Sequence, residues 1–473
     1  MLNLNFREKI IDISKVLKSW QHRKLTLLGK ITVIKTLALP KLIHLLTSLP
    51  NITESMLNEI NRAFFNFIWD GKTEKIKRNT LIAHTNEGGL KMVHLESFNF
   101  YLKIGWVKRF FENLSGDWQK ILKLTLNSFG GERCFSLQNF KLLEISYKLV
   151  NPFWKDVFYA LHLSKPHVKN ELKECLSLDI LNFIPTEDFP LYSRWGEAGI
   201  QNLCHIVDFH KRDFLTFEQI KQRVQTNNFM RYYILISNIP MEIKKCIRDN
   251  TDINLTANFT IKDIFLEKLT FSKNIRFIYD NIIERHVYPP VEKFAKWEKE
   301  LHTSIEDFKK YFCMLQKCCR DTYLYNFQYK FLHRIIPTNT FLFKIKIKDT
   351  KLCTFCGCEE ETVGHLFYDC QVTSEFLNLF FDSVKHFFVN IEINKRNLFL
   401  GFAEESLFLN FLIIFVKKYI YKCKLEGNLP KPAELRNRLK YFYSLELYTA
   451  RKHNNVSALE KFWAPIKVIY PEW

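Results

Sequence analysis

Glycine and proline are scarce in this chain, with 14 of each in 473 residues. So few interruptions predict long helices rather than a turn-rich sheet protein. Long apolar runs are missing too. The most hydrophobic stretch, Ser406 to Val416, is too short to span a bilayer and contains Asn410, so it reads as a buried helix. No membrane partner is expected. There is no G-x-x-x-x-G-K-[ST] loop, no G-x-S-x-G elbow and no H-E-x-x-H pair. Asp307, Glu404 and Glu405 form no recognisable acid pair. His333 beside Arg334, in a Leu-His-Arg stretch, points to packing or a phosphate contact rather than to a catalytic base. Most of the 12 cysteines are scattered singly, without a disulfide framework, and the start Met-Leu-Asn-Leu-Asn-Phe-Arg-Glu is not that of a signal peptide. A reduced intracellular setting is the expectation.

What is abundant is positive charge. The 69 Lys and Arg against 50 Asp and Glu leave +19. That balance favours polyanionic partners through phosphate neutralisation and counterion release. The excess is uneven: residues 1–110 hold 18 basic and 8 acidic side chains, a net of +10. Apolar residues make up 47% of the chain and 44 are Phe, which excludes a disordered polyelectrolyte.

Apolar residues recur every three or four positions near the N-terminus: Phe6, Ile10, Ile13, Leu17 and Trp20; then Leu25, Leu28, Ile31, Ile34 and Leu37; then Leu57, Ile60, Phe64, Phe67 and Ile68. Pro40 should end or kink the second helix, and Asp70-Gly71 should stop the third. Lys24, Lys30, Lys35, Lys41, Lys75, Lys77 and Arg78 fall largely off these stripes. As a set they are candidate phosphate contacts, although any one alone reads as a solvated charge. The spacing also predicts helices over Leu95 to Phe111, over Asp213 to Val224, over 304–320 and 321–336, and a last one from Leu435 to Ala450. Thr338 is the expected cap of the helix after Pro337.

The most informative segment is Cys353-Thr-Phe-Cys356-Gly-Cys358-Glu-Glu-Glu-Thr-Val-Gly-His365-Leu-Phe-Tyr-Asp-Cys370, a C-x2-C-x8-H-x4-C pattern. Four thiolate and imidazole ligands close the tetrahedral shell of Zn2+ and leave no position for an activated water, so the predicted metal is structural. The expected ligands are Cys353, Cys356, His365 and Cys370. Cys358 remains an alternative, although C-x-C bites less favourably than C-x-x-C. Lys344, Lys346, Lys348 and Lys351 alternate with Ile345 and Ile347 just before the first ligand. This basic strip is a second candidate nucleic-acid contact.

The surroundings of the motif carry a resemblance. Phe327-Gln-Tyr-Lys330-Phe-Leu-His333-Arg334-Ile-Ile-Pro337-Thr-Asn339 precedes it, and Glu360-Glu361-Thr362-Val-Gly-His365-Leu366-Phe367 runs into it. This resembles the zinc-binding domain near the C-terminus of LINE-type, non-LTR retrotransposon reverse transcriptases. Leu25-Thr-Leu-Leu28-Gly29-Lys30, Leu39-Pro40-Lys41, Phe67-Ile-Trp69-Asp70-Gly71-Lys72 and Gly88-Gly89-Leu90 look like the thumb of the same family. The family's palm carries Tyr-x-Asp-Asp, whose carboxylates hold two Mg2+ ions. This sequence has no Asp-Asp pair. It begins where the thumb would begin, which reads as the C-terminal part of a larger polyprotein.

The expected fold is therefore mainly α: a thumb-like helical bundle over 1–115, an irregular helical connector over 116–303, the zinc-binding domain over 304–372 and a helical region over 373–473. The resemblance implies RNA or DNA as partner, structural Zn2+ as cofactor, a nuclear and cytoplasmic location, and no nucleotide transfer by this chain alone. A domesticated protein-interaction scaffold and a remnant without function are the alternatives.

Overall fold

The computed structural model describes residues 2–112, 116–166, 171–249, 263–287, 291–384, 393–402 and 407–469. Helices dominate, and the fold is mainly α as the composition predicts. The sheet among the described residues is one antiparallel pair, Val207–Asp208 with Asp213–Phe214. No single described helix is long and apolar enough to cross a membrane.

The chain forms two compact units. The first comprises residues 1–16, 37–63 and 94–286; the second comprises 17–36, 64–93 and 287–473. The N-terminal 115 residues thus contribute to both. In the first unit, the helix Leu95–Phe111 has the bounds its periodicity predicts. It buries Phe100, Ile104, Val107 and Phe110 in a core shared with Phe135, Phe158 and Trp195. Lys103 lies fully buried on the same helix. Its ammonium donates to the carbonyls of Leu46, at 2.7 Å, and Leu49, which satisfies the end of the helix Pro40–Ser48. Burial lowers the pKa of Lys103 to about 8 despite nearby Asp156.

Pro40 occupies the first position of that helix, so the break falls where proline requires it. The helix Glu54–Trp69 stops at Asp70 and Gly71, both at positive φ. Three of the expected helices differ in the structure. The Asp213 to Val224 segment is a short strand followed by the helix Phe217–Val224, because Thr216 and Gln219 form a capping box there. Beyond Pro432–Lys452 lies one more helix, Val456–Ile469, and its Trp463 is fully buried. Of the apolar run Ser406 to Val416, Ser406 falls outside the described residues; Leu407 to Val416 belong to the helix Leu407–Glu426 and are mostly buried, Asn410 included.

The third differing helix is Leu25 to Leu37. The helix starts at Leu27, where the Thr26 hydroxyl accepts from the Gly29 N–H, and gives way to a wider turn over Ile34–Ala38. The face turned inward is Leu27, Lys30, Ile31, Val33 and Ile34, and Leu37 is exposed. Apolar residues cover more than half of this helix's circumference, so periodicity alone could not choose between two faces. Lys30 was expected off the stripe. It is buried instead, its ammonium 2.6 Å from the Asp70 carboxylate and donating to the Ile68 carbonyl at 3.1 Å. Lys30→Glu should therefore cost about 3 kcal/mol of stability, because it replaces a buried donor by a charge facing Asp70. The exposed Lys24→Glu should stay within about 0.5 kcal/mol. Denaturant midpoints of the two variants check this, and equal midpoints would remove Lys30 from the core.

Candidate metal centre

The helices Ile305–Cys318 and Thr322–Leu332 precede the centre in the chain, followed by the short helix Asn339–Lys344, and Phe327 and Phe331 of the second pack against Phe367 of the ligand segment. The Leu-His-Arg segment at the end of the second of these is structural. His333 is buried and its Nε2 lies 2.8 Å from the Gly88 carbonyl, which also accepts from the Tyr329 hydroxyl. Burial lowers the His333 pKa to about 4, which keeps it neutral. The neighbouring Gly89 lies tight against the Ala83 backbone, which only a glycine allows: a Cβ there would sit 1.9 Å from the Ala83 carbonyl oxygen. Arg334 lies over the Trp297 ring and donates to Glu300 at 2.7 Å.

The ligand loop is a tight knuckle. The Cys353 N–H donates to the Glu359 carbonyl, and the Gly357 N–H donates back to Cys353. Gly357 has φ +69°, a conformation that favours glycine. The Phe355 N–H points at the Cys353 sulfur, 3.4 Å away. Burial pushes the Cys356 thiol up, but the backbone N–H groups of Cys358 and Glu359 and the His365 ring outweigh it and bring the pKa to about 6.

His365 and Cys370 come from one turn. Five residues along an α-helix lie about 140° apart around its axis, too far to share a metal comfortably. Here His365–Asp369 widens into a π-turn, in which the Cys370 N–H donates to the His365 carbonyl at 2.9 Å. Residues five apart are thereby brought closer to one side of the turn. The Thr362 hydroxyl accepts from the His365 N–H and holds the start of the turn.

The donor atoms of Cys353, Cys356, His365 and Cys370 all lie within 4.8 Å of one another. The Cys353 and Cys370 sulfurs are 3.9 Å apart, and the Cys356 sulfur is 3.3 Å from His365 Nε2. Tetrahedral Zn2+ with bonds of about 2.3 Å to sulfur needs edges of roughly 3.8 Å, so this donor set fits it. All four positions are protein-supplied, which makes the ion structural. Cys358, the open alternative, is exposed and its thiol faces the Cys356 carbonyl. Glu359 Oε2 approaches His365 Nδ1 to 3.0 Å. It lies off the N–H direction, so this buried nitrogen has no hydrogen bond among the described residues.

A residue the pattern of ligands did not single out holds the loop in place. Glu361 is fully buried. One carboxylate oxygen accepts from the Asn339 N–H at 2.8 Å and lies 3.2 Å from the Lys424 ammonium; the other accepts from the Thr354 N–H and hydroxyl. Lys424 also donates to the Pro337 carbonyl. Thr338 stands at the N-cap of Asn339–Lys344, but its hydroxyl makes no cap bond; the Glu361 side chain replaces it. The only sequence signal for this network is the Glu360-Glu361-Thr362 run.

The basic candidates divide. Lys24, Lys35, Lys41, Lys75, Lys77 and Arg78 are exposed, Lys41 in the first unit and the others in the second. Arg78 pairs with Glu74 and covers the Phe65 ring. Lys30 is buried, as described. Lys344 and Lys346 are exposed, whereas Lys348 donates to Asn339 Oδ1 and Lys351 pairs with Glu360.

Residues 296–376 match the family described as zinc-binding in reverse transcriptase. The matched stretch contains all four donors, Glu361, His333 and the basic strip. Fold and site together define a mainly helical protein with a reverse-transcriptase-associated, structural zinc-binding region.

Proposed function

We propose that this chain is the zinc-binding, nucleic-acid-binding C-terminal part of a LINE-type non-LTR reverse transcriptase. It holds template, primer or element RNA and leaves nucleotide transfer to a palm elsewhere in the polyprotein, in the nucleus and the cytoplasm. The observation that carries this is the closed Cys3His centre inside a region that matches the reverse-transcriptase zinc-binding family. The +19 net charge and the exposed Lys24, Lys35, Lys75, Lys77, Lys344 and Lys346 supply the electrostatics a polyanion needs.

Binding should be steeply salt-dependent and weakly dependent on sequence. Charge reversal of Lys24, Lys75 and Lys77 together should weaken duplex or hybrid binding and flatten the salt slope by roughly one per lost phosphate contact. Fluorescence anisotropy of the full chain across a salt series measures both. Affinity that ignores salt would sink the reading in favour of a protein-interaction scaffold. Mg2+-dependent primer extension by the purified chain would equally overturn the assignment of transfer to another part.

A further inference from the structure

The short helix Asn339–Lys344 has an unusual outer face. Asn339 is buried and Leu342 is half-buried, so this side faces the protein. At about 100° per residue, Lys344 points directly away from that side, with Phe341 and Phe343 on its two flanks. The rings are 49% and 46% exposed, and Ile345 and Ile347 just beyond are also exposed. The ammonium groups of Lys344 and Lys346 have no partner among the described residues. Lys346 sits at φ +57°, where the chain turns off the helix.

The ridge does not float. The Asn339 N–H is held by Glu361, its side chain donates to the Leu352 carbonyl, and the Thr340 hydroxyl donates to the Glu361 carbonyl. Two aromatic faces flanking a free cation are therefore presented from a backbone pinned to the zinc loop. Exposed rings on a pinned element mark a binding surface rather than a fraying end. Segment 339–352 carries four lysines and one acid, Asp349, so the matching partner is anionic. A duplex offers phosphates but keeps its base faces stacked, whereas a single strand offers both.

We propose that Phe341, Lys344 and Phe343 form a platform for unpaired bases of single-stranded nucleic acid, each ring stacking on a base while Lys344 and Lys346 meet the adjoining phosphates. This rests on the nucleic-acid-binding reading above and adds a strand preference to it.

The test compares full-length wild type, Phe341→Ala, Phe343→Ala and Lys344→Gln. The probes are a uridine homopolymer and a blunt-ended DNA duplex of equal length, and zinc content serves as the folding control. Each Phe variant should weaken uridine-oligomer binding about tenfold, with the duplex affinity and the salt slope unchanged, because a ring releases no counterions. Lys344→Gln should lower the salt slope on the oligomer by about one. Phe341→Leu covers the case of an alanine variant that loses zinc, since it keeps the apolar volume and removes the stacking face. Irradiation of wild type with a 4-thiouridine oligomer should place the cross-link on Phe341 or Phe343. The platform is overturned if folded Phe variants bind the oligomer as wild type does, if both probes weaken equally, or if the variants change only the oligomeric state. Wild type that binds neither probe fails the nucleic-acid reading itself.

Discussion

Removal of zinc is expected to unfold the segment from Lys351 to Cys370 and to lower the melting temperature of the whole chain by roughly 10 °C or more. The reason lies in the cluster of metal donors at the centre of that segment. Its regular pairing is a single bridge between Leu352 and Glu360, and the donor atoms of Cys353, Cys356, His365 and Cys370 converge within 4.8 Å of one another, with Cys353, His365 and Cys370 buried. Without the ion, three thiols and an imidazole are left in a dehydrated pocket, which favours opening. Cys356→Ser should reproduce the effect with metal content reduced. Cys358→Ser should leave both metal content and melting unchanged, because its thiol lies outside the donor cluster. Metal analysis and thermal unfolding with and without chelator read these outcomes. A chelated chain that melts like the loaded one would show that the centre does not hold the loop.

Glu361→Ala should cost about 3–5 kcal/mol, the largest expected effect outside the ligands themselves. The substitution leaves the Lys424 ammonium buried without its counter-charge and orphans the N–H groups of Asn339 and Thr354. Burial already pushes the Lys424 pKa down, with Glu361 only partly offsetting it, so loss of the carboxylate adds to an existing strain on the charge. Lys424→Met should also destabilise, and Glu361→Leu with Lys424→Met should cost less than the two single changes added together, because the paired desolvation disappears with the pair. Denaturant midpoints of the four proteins measure this coupling. Additive effects would mean that the two groups do not act as one unit. Since Glu361 also pins Asn339, its loss should loosen the Phe341–Lys344 ridge even in protein that keeps zinc, detectable as faster amide exchange over 339–347.

Much of the metal centre was legible in the sequence because its information is local. Ligand chemistry depends on the identity of four side chains within one short segment, and the Cys and His spacing narrows the metal to zinc before any fold is known. Helix faces such as Phe6, Ile10, Ile13 and Leu17 were legible for a similar reason: these four recur on one stripe, and that stripe is the one buried.

Tertiary structure decided what depends on residues distant in the chain. Lys30 looks like any surface lysine until Ile68 and Asp70 are brought beside it. Glu361 and Lys424 look like two ordinary charges, one in a motif and one on a late helix, until the Leu407–Glu426 helix packs against the zinc loop and removes water from both. The choice of Glu361 over Thr338 as the cap of Asn339–Lys344 was of the same kind, since a side chain from the zinc loop displaces the local one. The exclusion of Cys358 followed from the left-handed turn at Gly357, which sends that thiol outward while the π-turn at His365–Asp369 brings Cys370 in. Local chemistry can name a ligand or a helix face by itself; the partner of a buried charge is set by which segments the folded chain brings together.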